Sequence, residues 1–455
     1  MKAKYLMSAL SLIALVSCGG EGESSQASSS AASSAGGVTN ITVWAGETED
    51  SLAYVNEVAE AFKKAHPEKE YNFTVKAVSE SSVSGDWAAD PSQAADFAIA
   101  ADDQIPAMIK SNLIQSLEPL DRYIEGLSDT IKTRNSKESI DMVTSEGKTY
   151  GFPVSASNGY ILYYNSKYIS KEDTTSFSSL LAAVKRASEQ YGKNFRFGFP
   201  HHSGWYLDGW FRGAGFNVVG EAGSTTVECD WNKEVNGVKG VDVASSLVKL
   251  AHGEYKNQWT SQTQALLMTQ IDDAQPNQII ATINGTWNYK RIKAAWGDNT
   301  AATVLPSYHV DEANKDFSMQ SVKGFKIGIV NAKRAKTLID SAKFAEFLTN
   351  YDNQILRFNA LSEAPTNTEA ASKVDTTTNP AVKALDEQWA KGSFTEKVNE
   401  AFWNPSNGLS DQLCAGSAGA SASFITSGEG TADIVIDKAA VQAALDACVN
   451  ALSGN

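Results

Sequence analysis

The stretch that most constrains this chain runs from Gly147 to Asn165, GKTYGFPVSASNGYILYYN. It reads as a short strand ending at Pro153, a flexible Ser/Gly passage, and a second strand rich in aromatic and aliphatic residues from Tyr160 to Tyr164. Small and polar residues between two apolar strands mark a chain passing from one body to another. Junctions of that kind hold concave sites and hinges, so the pattern predicts two lobes with a ligand in the cleft between them.

Length agrees with this. At 455 residues the chain exceeds one ordinary core, and roughly 150 residues per domain gives two or three bodies. Thirty-nine basic against 53 acidic residues leave a formal charge of -14, which repels phosphate backbones and excludes nucleic acid as a partner.

The first seventeen residues have the order of a secretory signal: Lys2 and Lys4, an apolar run through Leu6, Leu10, Leu12, Ile13 and Leu15, then small Ser17. Leu15-Val16-Ser17-Cys18 resembles the lipobox of bacterial lipoproteins, which implies a lipid-modified Cys18 as the first mature residue. Residues 18–40, mostly Gly, Ser, Ala and Glu, carry almost nothing that can be buried and read as a flexible, lipid-anchored spacer. Cys229, Cys414 and Cys448 remain, so at most one internal disulfide forms; Cys414 with Cys448 is the local pair, and three buried, unpaired thiols are the alternative.

Beyond the spacer, Ile41 to Ala45 reads as a strand, and Asp50 or Ser51 as the cap of a helix carrying Leu52, Val55, Val58, Ala59 and Phe62. Tyr71, Phe73, Val75 and Ala77 alternate as a second strand, completing a right-handed parallel unit. Ala94 to Ala101 gives another strand with Asp102 and Asp103 at its end. After Tyr160 the same alternation resumes: a helix from Phe177 to Tyr191, strands at Phe195 to Phe199 and Ile279 to Ile283, a helix from Val241 to His252, and a last helix through Val441, Leu445 and Cys448. The fold class is α/β.

No phosphate-cradling, metalloprotease, nucleophile-elbow or paired-cysteine motif is present, so no cofactor and no metal are expected. His201 and His202, as neighbours on a strand, point to opposite faces and do not converge on one metal without a bend. Carboxylate pairs suited to glycoside hydrolysis are recognised by separation in space, which keeps a surface glycosidase among the readings. What stands out is aromatic placement: Trp205, Tyr206 and Trp287 sit beside Gly or Thr at strand ends and turns, and Trp403 follows Phe402. Flat rings at a cleft stack on the C–H faces of sugars while Asp, Glu, Asn and Gln bond hydroxyls.

The lipobox, Ile41-Thr-Val-Trp44, Ala95 to Gln104 with Leu113 to Leu117, Tyr150 to Asn165, Ile283-Asn-Gly-Thr-Trp287 and Val304-Leu-Pro306 together resemble the family 1 extracellular solute-binding proteins, most of all maltose- and maltodextrin-binding lipoproteins of bacterial ABC importers. The resemblance implies a two-lobed periplasmic-binding-protein-like fold with three crossings and a central cleft. The crossings fall near residues 155–158, 322–325 and 369–372; one lobe then combines residues 41–156 with 324–370, the other 157–323 with 371–455. Carried across position by position, it implies a hydroxyl acceptor at Asp103, stacking rings at Trp205 or Tyr206, at Trp287 and at Trp403, and polar contacts from Glu47 and Asn158. It differs where maltose-binding members have a crossover glutamate (here Ser157-Asn158), an arginine (Gln104) and a first-lobe tryptophan (Ala100), for which Trp87 is the candidate substitute.

The function so implied is a monomeric, membrane-tethered, extracytoplasmic receptor, not an enzyme. It captures an oligosaccharide, maltose or maltodextrin, and delivers it to the ABC permease subunits. A different oligosaccharide, a surface glycosidase and a surface adhesin are the other readings.

Overall fold

A computed structural model of the chain describes residues 37–220, 225–415, 417–418 and 422–454. The expected signal peptide, Cys18 and most of the spacer lie outside the described residues. From Thr39 strands and helices alternate because apolar period-2 and period-3.6 segments alternate. Strand β1 (Thr39–Ala45), helix α1 (Glu49–Ala65) and strand β2 (Tyr71–Ala77) form a parallel crossover unit in which Val43 lies opposite Val75. The α1 cap is Thr48, earlier than the Asp50 or Ser51 expected from sequence: its hydroxyl accepts from the Ser51 amide at 3.1 Å, so the helix begins at Glu49 and buries Tyr54, Val55, Val58, Ala59 and Phe62.

Strand β3 (Phe97–Ala101) pairs with β1, and strand β4 (Phe152–Asn158) ends the first pass through this body. The chain then builds a second body from strand β5 (Tyr160–Asn165), helix α2 (Phe177–Tyr191), strand β6 (Arg196–Pro200), helix α3 (Gly204–Gly213), helix α4 (Gly240–His252), and strands β7 (Trp259–Gln262), β8 (Ile279–Gly285) and β9 (Thr300–Thr303). Strand β10 (Gly324–Val330) and helices α5 (Leu338–Leu348) and α6 (Tyr351–Leu361) return to the first body. Helices α7 (Pro380–Lys391), α8 (Trp403–Ala415) and α9 (Lys438–Ser453) complete the second.

Two five-stranded sheets result, in the orders β2-β1-β3-β10-β4 and β7-β6-β8-β5-β9. Each has its own core. Phe62 and Phe97 meet Phe344 edge-on at 5.5 and 5.6 Å in the first; Trp210 stacks on Tyr308 at 4.0 Å in the second.

The Gly147–Asn165 stretch is more ordered than a flexible passage. β4 pairs with β10 as far as Asn158, and only Gly159 separates it from β5. Two crossings touch here backbone to backbone. A Cβ on Gly159 would lie 2.6 Å from the Val322 carbonyl oxygen, and one on Gly324 would lie 2.6 Å from the Asn158 oxygen, so each strand carries glycine where the other passes. The third passage runs between Ala371, at the end of a short helix packed on α6, and Pro380.

Two sequence readings left open are decided here. The bend that the histidine pair needs is present: His202 adopts a left-handed backbone (φ 53°), and the two Nδ1 atoms lie 2.9 and 2.6 Å from opposite oxygens of Asp411 on α8. Cys229, Cys414 and Cys448 are free and buried, and burial pushes the Cys414 and Cys448 thiols up to about 12. Cys448 is the thiol within electrostatic reach of Cys229.

Candidate functional site

Four of the candidate residues, Glu47, Asp103, Trp205 and Trp287, come just beyond the carboxyl ends of strands, where open α/β sheets place ligands. Asp102 and Asp103 leave the end of β3 in a single 3-10 turn, and Glu47, exposed, follows β1. From the second sheet, Trp205 opens α3 just beyond β6, and Trp287 follows β8. The run His201 to Phe211 is therefore helical over Gly204–Gly213 rather than a turn. Its helix lies so close to β5 that a Cβ on Gly209 would meet the Tyr160 hydroxyl at 2.1 Å.

The second-lobe wall is an aromatic group. Trp205 and Trp287 have ring centroids 5.7 Å apart and tilted by 36°; Tyr160 lies 4.7 Å from both Trp205 and Tyr206. Trp205 and Trp287 keep partial exposure, whereas Tyr206 is buried beneath them. An amide chain fixes Tyr206: Gln264 Nε2 donates to its hydroxyl at 2.8 Å and to Asn284 Oδ1 at 2.6 Å, and Asn284 also accepts from Asn288. Trp403 begins α8 with its ring 5.1 Å from that of Phe402.

The first-lobe wall is acidic. Gln104 Nε2 donates to Asp103 at 2.8 Å, and Gln104 Oε1 accepts from the Ser84 hydroxyl at 2.5 Å, so Asp103 is aimed by its neighbour. Asp102 lies behind it and accepts from Asn158 Nδ2 at 3.3 Å and from the Phe325 amide at 3.0 Å, one bond to each of two crossing strands. Burial first, and then the Asp103 charge, push Asp102 up to about 7; burial pushes Asp103 up to about 6.

Trp87 belongs to neither wall. It is fully buried, 6.4 Å from Trp44 in the first-lobe core, and so supplies no platform.

The lobes are closed on each other. Lys290 pairs with Asp50 at 2.8 Å across the cleft mouth. Between Ser84, Asp103 and Gln104 on one side and Asn399, Glu400 and Trp403 on the other remains a cavity of 20 Å³, room for about one water. A roomier pocket of 330 Å³, near Val238, Asp242, Glu312 and Lys438, lies away from every one of these residues.

Sequence reading passed over Glu396, which is 8% exposed and within electrostatic reach of Asp103, Asp102 and Asp208, with Trp205 as its hydrogen-bonding neighbour. No local motif marks it; its place depends on the pairing of Ser321–Val322 with Ser393–Phe394. Asp102 was visible beside Asp103, but its role at the crossings was not.

Among known proteins, a maltooligosaccharide ABC transporter solute-binding lipoprotein of Streptococcus pneumoniae serotype 4 is 24% identical over 429 residues, covering 90% of this chain and 92% of that one. A structure solved with acarbose superposes with a TM-score of 0.74 at 23% identity, covering 92% of this chain and 99% of that one. A maltodextrin-binding protein from L. casei BL23, solved without ligand, gives 0.69 at 20%, covering 92% and 100%. The family model for bacterial extracellular solute-binding proteins matches residues 57–384, well over half of the sequence. With two sheets facing one cleft and a family match across both, this chain belongs to the bacterial extracellular solute-binding proteins.

Proposed function

We propose that the protein is the carbohydrate-capturing component of an ABC importer, closing on a maltodextrin or similar oligosaccharide and presenting it to the permease subunits. The observation that carries this reading is the pairing of two partly exposed indoles, Trp205 and Trp287, on one lobe with an oriented carboxylate, Asp103, on the other. Indole faces match the apolar faces of pyranose rings, and a carboxylate accepts from their hydroxyls. Neither wall alone encloses a ligand, so binding requires closure, and closure is favoured by contacts made to both lobes at once.

The lobes are assigned as residues 41–156 with 324–370 and residues 157–323 with 371–455, and the contact set as Glu47, Asp103, Asn158, Trp205, Tyr206, Trp287 and Trp403. Tyr206 supports Trp205 from beneath, and Asn158 acts through Asp102. Lipidation at Cys18 tethers a monomeric receptor to the outer face of the cell membrane, consistent with a family named as extracellular; no helix among the described residues is long and apolar enough to cross a membrane. The protein binds sugar without cleaving it.

Titration calorimetry with maltose, maltotriose and longer dextrins tests the reading. Trp287→Ala should weaken maltotriose binding more than tenfold, about 1.4 kcal/mol, with little loss of stability. Equal affinity of the variant and the parent would remove Trp287 from the site, and release of free glucose from maltotriose would revive the glycosidase.

A further inference from the structure

Helix α3 forms on a stretch that resists helix formation: Gly204, Gly209 and Gly213 interrupt it, and Ser203, at its N-cap, makes no side-chain cap bond. Helix α8 supplies what α3 lacks. Asn407 Oδ1 accepts from the Gly204 amide at 2.7 Å, a cap that comes from another helix. Ser406, fully buried, packs so tightly on Gly204 that a Cβ there would overlap its hydroxyl, and Phe402 flanks the same position. One turn further along, Asp411 takes hold of the residues that lead into α3: His202 Nδ1 bonds one carboxylate oxygen at 2.6 Å, and His201 Nδ1 lies 2.9 Å from the other. The left-handed backbone of His202, which residues other than glycine seldom adopt, lets two sequence neighbours reach one carboxylate. Trp205 follows directly on Gly204, and Trp403 begins α8 with its ring 5.1 Å from that of Phe402. One helix thus carries Trp403 and anchors the start of the helix that carries Trp205.

We propose that Asn407 and Asp411 are positioning residues for the Trp205 ring: neither touches the ligand, and together they set where that indole stands on the second-lobe wall. Stacking on a pyranose face is productive only when the ring is held to within about 0.5 Å and 10–20°. A helix opening on Gly204 does not hold its first side chain that closely by itself; the Asn407 cap and the Asp411 grip on His201 and His202 do. The inference rests on the carbohydrate reading above and adds the residues that set its stacking geometry.

The test is a double-mutant cycle read by calorimetric titration with maltotriose, using Asn407→Ala and Asp411→Asn, each alone and combined with Trp205→Ala. Asp411→Asn keeps the shape of the side chain but faces one of the two imidazoles with an amide N–H instead of an acceptor. Unfolding midpoints confirm that each variant is folded. Each change should weaken binding by about threefold or more in the wild type and by less than about twofold once Trp205 is alanine, and Asn407→Asp, which keeps the acceptor, should recover most of the loss. Affinity within about twofold of the wild type, or an equal loss with and without the Trp205 ring, would overturn the role of the residue changed and leave the carbohydrate reading intact. Failure of the wild type to bind maltotriose or any longer dextrin would overturn that reading and this inference with it.

Discussion

Replacing Glu363 by glutamine tests the hinge. Glu363 is 3% exposed and ties two crossing strands to a first-lobe helix: it accepts from Ser155 of β4 at 2.9 Å, from Lys326 of β10 at 2.7 Å and from Arg357 of α6 at 2.7 Å. Burial alone would raise its pKa, but the charges of Arg357 and Lys326 outweigh burial and hold it at about 2. A depression from 4.5 to about 2 corresponds to roughly 3 kcal/mol of native-state stabilisation, within the range for removing one partner of a buried ion pair. Lys326 would keep Glu80 at 2.7 Å, whereas Arg357 would lose its only ion pair among the described residues.

The sign follows from linkage: a carboxyl with a depressed folded-state pKa contributes stability that is present above about 4.5 and lost as pH falls toward about 2. Urea unfolding followed by circular dichroism at pH 7, 5 and 3 should therefore show Glu363→Gln less stable by about 3 kcal/mol at pH 7, with the gap narrowing at pH 3. A loss under about 1 kcal/mol at pH 7, or a gap independent of pH, would refute the reasoning.

The remaining predictions concern core, crossing and cleft. Trp87→Ala should cost about 3–5 kcal/mol in urea unfolding while leaving maltotriose affinity within twofold, the reverse of Trp287→Ala; a large loss of affinity without loss of stability would place Trp87 in the site. Gly159→Ala should destabilise by about 2 kcal/mol or more, because its Cβ would press on the Val322 carbonyl, and an unchanged unfolding midpoint would show that the crossing yields. Asp102, raised from 3.8 to about 7, favours the folded state most below about 4 and loses that contribution as pH rises through about 7; Asp102→Asn should flatten stability across this window, measured by thermal unfolding at successive pH values.

Much of the scaffold was legible because its elements are strongly periodic. The helix at Phe177–Tyr191 and the strand at Tyr71–Ala77 can be read off apolar spacing alone. Helix α3 was not legible, because Gly204 and Gly209 argue locally against a helix and are explained only by Ser406 packed against the first and by the Tyr160 hydroxyl and Gln320 carbonyl packed against the second. The β4–β5 passage misled for a related reason: Ser155, Ala156 and Ser157 look flexible in isolation, yet pairing with β10 and the Glu363 contact fix them as strand. In the cleft, Trp205 and Trp287 announced themselves by standing at segment edges, whereas Trp87, flanked by similarly small residues, is a core residue. Glu396 carried no signal at all, since only the pairing of Ser321–Val322 with Ser393–Phe394 brings it within electrostatic reach of Asp103.

The most direct measurement is a crystal structure of the protein grown with maltotriose. The account predicts a pyranose ring stacked on Trp287 or Trp205, with a hydroxyl within hydrogen-bonding distance of Asp103 and both lobes in contact with the sugar. Maltotriose bound to one lobe alone, or seated in the pocket near Asp242 and Lys438 with the inter-lobe cleft empty, would contradict it.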